Sequence, residues 1–204
     1  MHARKKRILI LFAHPALEKS RVNRPLAEAV TNLDDVTFND LYESYPDFDI
    51  DVPREQALLA GHDIIVFQHP FYWYSTPSII KEWQDLVLEH GWAYGSGGDA
   101  LQGKMLMNAI TTGGMEATYC HEGRNHCTMR ELLAPIEQTA ILCGMEYLPP
   151  FVVHGTHQLT PSEISRHAAD YRRTVVALRD GTIDLDAARR LGRLNSNLTE
   201  VLGN

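Results

Sequence analysis

Three clusters of side chains in this 204-residue sequence have the types and spacing to do chemistry on a bound small molecule. The first is "AHPALEKSRVNRP" (13–25), where His14, Ser20 and Asn23 precede a helical pattern with Pro25 in its first turn. Ser20 or Asn23 is expected to cap that helix, and the free amides of a helix start suit a phosphate. The loop is neither a dinucleotide fingerprint nor a Walker loop, since both need glycines that it lacks. The second cluster is Phe71, Tyr72, Trp73 and Tyr74, set between Pro70 and Pro77. Four successive aromatics in a loop cannot all turn inward, so some must line a groove or an interface. The third is "TTGGMEATYCHEGRNHC" (111–127). Thr111 and Thr112 end an apolar run, and Gly113 and Gly114 let backbone approach a flat ligand. Tyr119, His121, Arg124 and His126 follow as hydrogen-bond or proton donors. "CHEGRNHC" lacks the C-x₂₋₄-C spacing of a zinc site, so no metal is expected.

All three clusters follow short apolar runs, which supplies the elements that must position them. The runs are 7–13, 36–41, 63–68, 104–112 and 150–155, rich in β-branched and aromatic residues. Helical spacing appears over 53–60, 77–90, 130–143 and 160–179. Strands alternating with helices predict an α/β protein with a parallel sheet covered on both faces. Five strands suggest the order 2-1-3-4-5, a flavodoxin-like three-layer sandwich whose ligand sits beyond the carboxyl ends of the strands, near the switch between strands 1 and 3. The chemistry-bearing loops follow strands 1, 3 and 4, where that architecture places a ligand.

Composition narrows the function classes. With 19 Lys+Arg against 26 Asp+Glu, the formal charge of −7 opposes a broad nucleic-acid surface, so any anion must be held locally. Three cysteines are too few, and odd in number, for a disulfide framework, which points to a reducing, cytoplasmic setting. The basic lead "RKKR" runs into only six apolar residues before His14-Pro15, too short for a signal peptide with its cleavage site. No run reaches the roughly 18 apolar residues of a membrane span, so any membrane role is expected to be peripheral.

Taken in order, "AHP", "LYESYPDFDID", "REQALL", "IIVFQHPFYWYSTPSIIKEW", "HGWAYGSGGDALQGK", "ITTGG" and "LPPFVVHGT" resemble the flavodoxin-like NAD(P)H:quinone oxidoreductases. Within that family the resemblance is greatest to the ancillary proteins of bacterial glutathione-regulated potassium-efflux systems. It runs from about Ile8 to Arg179. It implies a flavin, FMN in preference to FAD, with its phosphate held by His14 and by Ser20, Arg21, Val22 and Asn23. It places Phe71 to Tyr74 and Thr111 to Gly114 around the isoalloxazine. Tyr119, with His121 or His126, would assist transfer of two electrons from NAD(P)H to a quinone. It also implies a homodimer with active sites at the subunit interface, and docking on the cytoplasmic face of a potassium-efflux antiporter. Either an enzyme or a mainly regulatory flavin-binding subunit fits these residues.

Two further expectations concern assembly. Trp83 and Trp92, in the segment 81–94, are aromatic anchors for a twofold dimer. The flavin-binding domain is taken as 1–181, and 182–204 as a C-terminal helical extension. In that extension Ala187, Leu191, Leu194, Leu198 and Val201 recur at spacings of four and three, one apolar stripe on one helix. None of the three site loops lies within it, so it is expected to be a docking element dispensable for flavin chemistry.

Overall fold

The structure, a computed structural model, describes residues 4–202. Four strands, β1 (Ile8–Phe12), β2 (Val36–Asp40), β3 (Ile64–Pro70) and β4 (Met105–Thr111), lie parallel in the order β2-β1-β3-β4. The run expected as the fifth strand, 150–155, contains β6 (Phe151–Val153), and a separate short piece, β5 (Glu146–Tyr147), precedes it outside that run, both parallel to β4. Pro149-Pro150 separates the two pieces, since neither residue has an amide hydrogen for the ladder. The order 2-1-3-4-5 therefore holds, with its last position interrupted.

Alternation along the strands divides the core. Leu9, Leu11, Ile65, Phe67, Leu106, Ile110 and Val152 point to one face. They pack there against α2 (Leu41–Ser44), α3 (Val52–Gly61), α4 (Ser78–Val87) and α6 (Ala134–Leu142). Ile8, Ile10, Ile64, Val66, Met107, Phe151 and Val153 point to the other, under α1 (Asn23–Val30) and α7 (Pro161–Asp180). The helix expected over 130–143 is broken into α5 (Met129–Leu132) and α6, because Pro135 has no amide to donate back along the turn.

The motifs "LYESY" and "REQALL" meet around Glu55, which is completely buried. Its carboxylate accepts from Asn39 Nδ2 (3.0 Å), Tyr45 Oη (2.6 Å), Arg54 Nη1 (2.6 Å) and Trp83 Nε1 (2.9 Å). A buried carboxylate is tolerated only with its lone pairs met, and this cage meets them from β2, α3, α4 and Tyr45 just after α2. Burial beside Glu55 also pushes the Tyr45 hydroxyl up to about 12. Trp83 is thereby fixed in the core and is not an interface anchor, while Trp92 packs partly buried against the same cluster.

The tail does not form one helix. After α7 closes on Gly181 in the left-handed region (φ 66°), it runs as α8 (Leu185–Arg189), a 3-10 turn (Leu194–Ser196) and α9 (Leu198–Leu202). Gly192 and the polar "NSN" supply little helix propensity, and the apolar residues reach the core in separate pieces. Ala187, Leu194 and Val201 are buried on the α7 side, whereas Leu191 and Leu198 pack there only partly buried. The stripe is thus used largely within its own chain.

Candidate functional site

The loops after β1, β3, β4 and β6 converge at the carboxyl ends of the strands. His14, Lys19, Ser20, Asn23, Phe71, Tyr72, Thr111 and Gly113 line a cleft of about 260 Å³, closed on one side by Thr156 and His157. Hydrogen bonds lock the loops together. Phe71 N donates to Thr111 O (2.8 Å), Thr156 N to Thr112 O (3.1 Å) and Gly155 N to Gly114 O (3.0 Å). Arg21 donates to the carbonyls of His157 (3.3 Å) and Leu159 (2.9 Å), tying the first loop to the last.

Val22 is the N-cap position of α1 and has no side-chain cap, while the Ser20 hydroxyl, two residues earlier, accepts from Asn23 N at 3.0 Å. Asn23 is not a cap. Its side chain crosses to β4, where Nδ2 donates to Thr111 Oγ1 (2.7 Å), and its buried Oδ1 has no partner. An unmet buried acceptor at a cleft wall is costly unless a ligand donor reaches it. Burial lowers the pKa of His14 despite Glu18 nearby, so the ring is neutral at pH 7. Its Nδ1 accepts from Ala16 N (3.1 Å), which leaves the proton on Nε2 as a donor. Lys19 and Arg21 bring positive charge to this end of an otherwise acidic protein.

The aromatic loop divides as its composition requires. Phe71 is buried, whereas Tyr72, Trp73 and Tyr74 are exposed, Trp73 to 94%. Trp73 (φ 52°) and Tyr74 (φ 61°) form the centre of a tight turn closed by Ser75 N donating to Tyr72 O at 2.9 Å. Two consecutive left-handed residues that are not glycine cost roughly 1–3 kcal/mol each, a strain typical of ligand sites. Tyr74 Oη reaches Asn125 Oδ1 (3.2 Å), bridging to the loop after β4. Between them Phe71, Trp73, Tyr74, Gly114, Tyr119, Arg124 and Asn125 line a second cleft of about 320 Å³, beside the first.

Tyr119 belongs to this site. Its hydroxyl lies 2.5 Å from Thr112 Oγ1, and its ring packs against Phe71 (6.4 Å between centroids). His121 and His126 are exposed and line neither cleft. His121 pairs with Glu131 at 3.0 Å, which raises its pKa, and His126 Nδ1 faces the carbonyl of His121 (3.3 Å). Neither histidine lines the cleft that Tyr119 lines. A different histidine is beside Tyr119: His154, after β6, with ring centroids 5.3 Å apart. Burial first, then the nearby Arg193 charge, lower His154 to about 4, and its buried Nδ1 is without a partner. "VVHGT" was legible as a strand end, but nothing local places residue 154 next to residue 119.

Gly113 and Gly114 serve space rather than dihedral freedom, since neither has positive φ. A Cβ at Gly114 would stand 2.9 Å from Tyr119 Oη and 3.1 Å from Thr118 Oγ1. One at Gly113 would meet only the exposed His157 ring, at 2.8 Å. Among the described residues no three His, Cys, Asp or Glu side chains come together to hold a metal ion.

The family model described as "Flavodoxin-like fold" matches residues 6–175 of this chain. The chain belongs to that family. It is 49% identical over 162 residues to general stress protein 14 of Bacillus subtilis, covering 79% of this chain and 93% of that one. It is 46% identical over 165 residues to the glutathione-regulated potassium-efflux system ancillary protein KefG of Shigella flexneri, covering 81% and 90%. A solved structure of general stress protein 14 from Treponema denticola in complex with FMN superposes with a TM-score of 0.81 at 40% identity, covering 84% and 99%. That of an NADPH-quinone reductase from P. pentosaceus gives 0.75 at 33%, covering 82% and 96%.

Proposed function

We propose that this member of the flavodoxin-like family binds FMN and works as a two-electron NAD(P)H:quinone oxidoreductase. The observation that carries the reading is the unmet Asn23 Oδ1, buried in a cleft that also offers the neutral His14 Nε2–H, Lys19 and Arg21. These groups fit a polyhydroxylated phosphate ester: the acceptor takes a hydroxyl, and the donor and cations take the phosphate. The FMN complex of the Treponema relative supports the same assignment. When bound, the flavin supplies hydride acceptance from the nicotinamide and two-electron reduction of the quinone. The chain supplies flat aromatic walls from Phe71 to Tyr74, a narrow approach at Gly113-Gly114, and the Tyr119 hydroxyl, which Thr112 orients. That hydroxyl provides a hydrogen bond for charge developing on the bound ring or on the quinone oxygen.

The decisive measurement is titration of the FMN-loaded protein with NADPH, then NADH, and a soluble quinone. Turnover is expected, and Tyr119→Phe should lower kcat by about 10²-fold, the lower end of what one preorganised donor contributes. Absence of turnover in protein that binds FMN tightly would favour the second reading, a regulatory flavin subunit of a potassium-efflux antiporter, which the identity to KefG motivates. In either role we place the protein in the cytoplasm, peripheral to the membrane when docked. No helix among the described residues is long and apolar enough to cross one.

A twofold dimer is part of the proposal. Since Trp83 is buried, contacts would fall to exposed apolar groups such as Trp73, Leu86, Ile141 and Leu142. Light scattering should give twice the 23.0 kDa chain mass, and a monomer with full turnover would remove the dimer from the mechanism.

A further inference from the structure

Residues 176–204 lie outside the family match, and general stress protein 14 of Bacillus subtilis is 93% covered by only 79% of this chain. The tail is therefore an addition to the family domain, and its contacts lead to the site. Leu194 is buried and its amide donates to Pro150 O (2.8 Å), at the break between β5 and β6. Asn195 then imitates a neighbouring strand. Its Oδ1 accepts from Val152 N (3.0 Å) and its Nδ2 donates to Val152 O (2.8 Å). Between these anchors and α8, Arg193 reaches Glu116 Oε1 with Nη2 at 2.6 Å, while its Nη1 donates to Asn195 O (3.5 Å). Glu116 opens the 3-10 turn Glu116–Thr118, and its carbonyl accepts from Tyr119 N at 2.9 Å.

We propose that Arg193 is a positioning residue for Tyr119: anchored on the sheet edge by Asn195, it holds Glu116 and so the turn that sets the tyrosine hydroxyl against Thr112. The tail is on this view a brace for the loop after β4, and its truncation is not neutral for the reaction. The inference rests on the reductase reading of the site. The Arg193–Glu116 pair is well exposed on its acidic side, so it adds little to global stability. Its effect is geometric. The same guanidinium lies near His154, which is surrounded by Arg193, Glu116 and His167 and packs against the Tyr119 ring. His154 is thus a reporter of the brace that needs no flavin.

The test compares Arg193→Gln, Glu116→Gln, Asn195→Ala and the double exchange Arg193→Glu with Glu116→Arg. Arg193→Gln should leave Tm and the FMN Kd near wild type. It should lower kcat about five- to tenfold at unchanged KM for NADPH, alter the visible circular dichroism of bound FMN, and move the His154 NMR titration upward. Glu116→Gln should lower kcat similarly but move that titration downward, and the double exchange should recover much of kcat. Asn195→Ala, which releases the anchor, should reproduce the kcat and dichroism changes. Wild-type kcat, dichroism and His154 titration in Arg193→Gln would overturn the brace. Should wild-type protein bind no FMN, the reductase reading falls separately, and the His154 titration of Asn195→Ala, which keeps the Arg193 charge but releases its anchor, decides the brace: an unmoved titration there overturns it.

Discussion

Replacing Gly114 with Val is expected to weaken FMN binding by about 10- to 100-fold, whereas Gly113→Ala should leave the flavin-free fold intact. The two glycines are neighbours in sequence but not in environment. A β-carbon at Gly114 stands 2.9 Å from Tyr119 Oη, closer than real β-carbons approach, and 3.0 Å from its Cε2, tighter than most. Tyr119 cannot swing away freely, because Phe71 and His154 flank its ring and Thr112 holds its hydroxyl. Relieving the clash displaces the loop that faces the proposed ring site, and overpacking of this kind costs typically 1–3 kcal/mol. At 1.4 kcal/mol per tenfold, that is about 5- to 150-fold in affinity if the strain appears on binding. At Gly113 the obstructing atom is the far end of an exposed histidine, which has room to move. Quenching of FMN fluorescence gives the affinities, and thermal melts of the flavin-free proteins separate binding from folding. An unchanged affinity in Gly114→Val with normal melting would mean the ring lies elsewhere.

A second large effect is the share of acid destabilisation that His69 contributes, about 3 kcal/mol between pH 6.5 and pH 4, beside the smaller or parallel shares of other buried histidines such as His154. This residue, one before Pro70, is fully buried on β3, and burial lowers its pKa to about 4. Its Nδ1 is 2.9 Å from Pro70 O, and its Nε2 lies 3.1 Å from Asn108 Nδ2. The neutral ring therefore donates from Nδ1 and accepts at Nε2. Asn108 cannot flip to welcome a second proton, because its Oδ1 already accepts from Tyr147 Oη at 2.7 Å. Above pH 6.5 neither folded nor unfolded chain protonates this histidine, so its contribution is fully present. Between 6.5 and about 4 only the unfolded chain takes the proton, and stability falls as pH falls. That interval, at about 1.4 kcal/mol per pH unit, gives the figure above. Urea midpoints at several pH values, compared with those of His69→Gln, isolate the term. Equal slopes in both proteins would exclude His69 as the source. His69 leads through Pro70 into Phe71, at the root of the aromatic wall.

Much of this was readable from local pattern. The apolar runs, their alternation with helices and the position of the three loops required only near-neighbour periodicity and turn chemistry. That was enough for the sheet order and for the cleft at the carboxyl ends of the strands, where His14, Asn23, Phe71, Thr111 and Gly113 are found. The limit was reached wherever a residue's role depends on a partner distant in sequence. His121 and His126 looked suited to Tyr119 because they follow it closely, yet a tight surface turn carries both away and Glu131 engages one of them. His154, 35 residues further on, arrives because β6 lies parallel to β4 and delivers its exit loop to the same end of the sheet.

Trp83 and the tail follow the same logic. An aromatic on an amphipathic helix reads equally as interface or core, and only the buried Glu55 carboxylate, whose donors come from β2, the segment around Tyr45, α3 and α4, decides for the core. A four-and-three apolar spacing reads as one helix, but Leu194 and Val201 enter the core as separate pieces because the free side of β6 needed hydrogen-bond partners that a continuous helix does not offer. The sequence by itself determined the main strands and helices of the sandwich, the sheet order and the end of the sheet at which the candidate cleft lies, because those depend on periodicity and connection rules. Tertiary structure alone decided which histidine meets Tyr119, which tryptophan is buried and what the tail touches, because each depends on contacts made across parallel crossovers rather than along the chain.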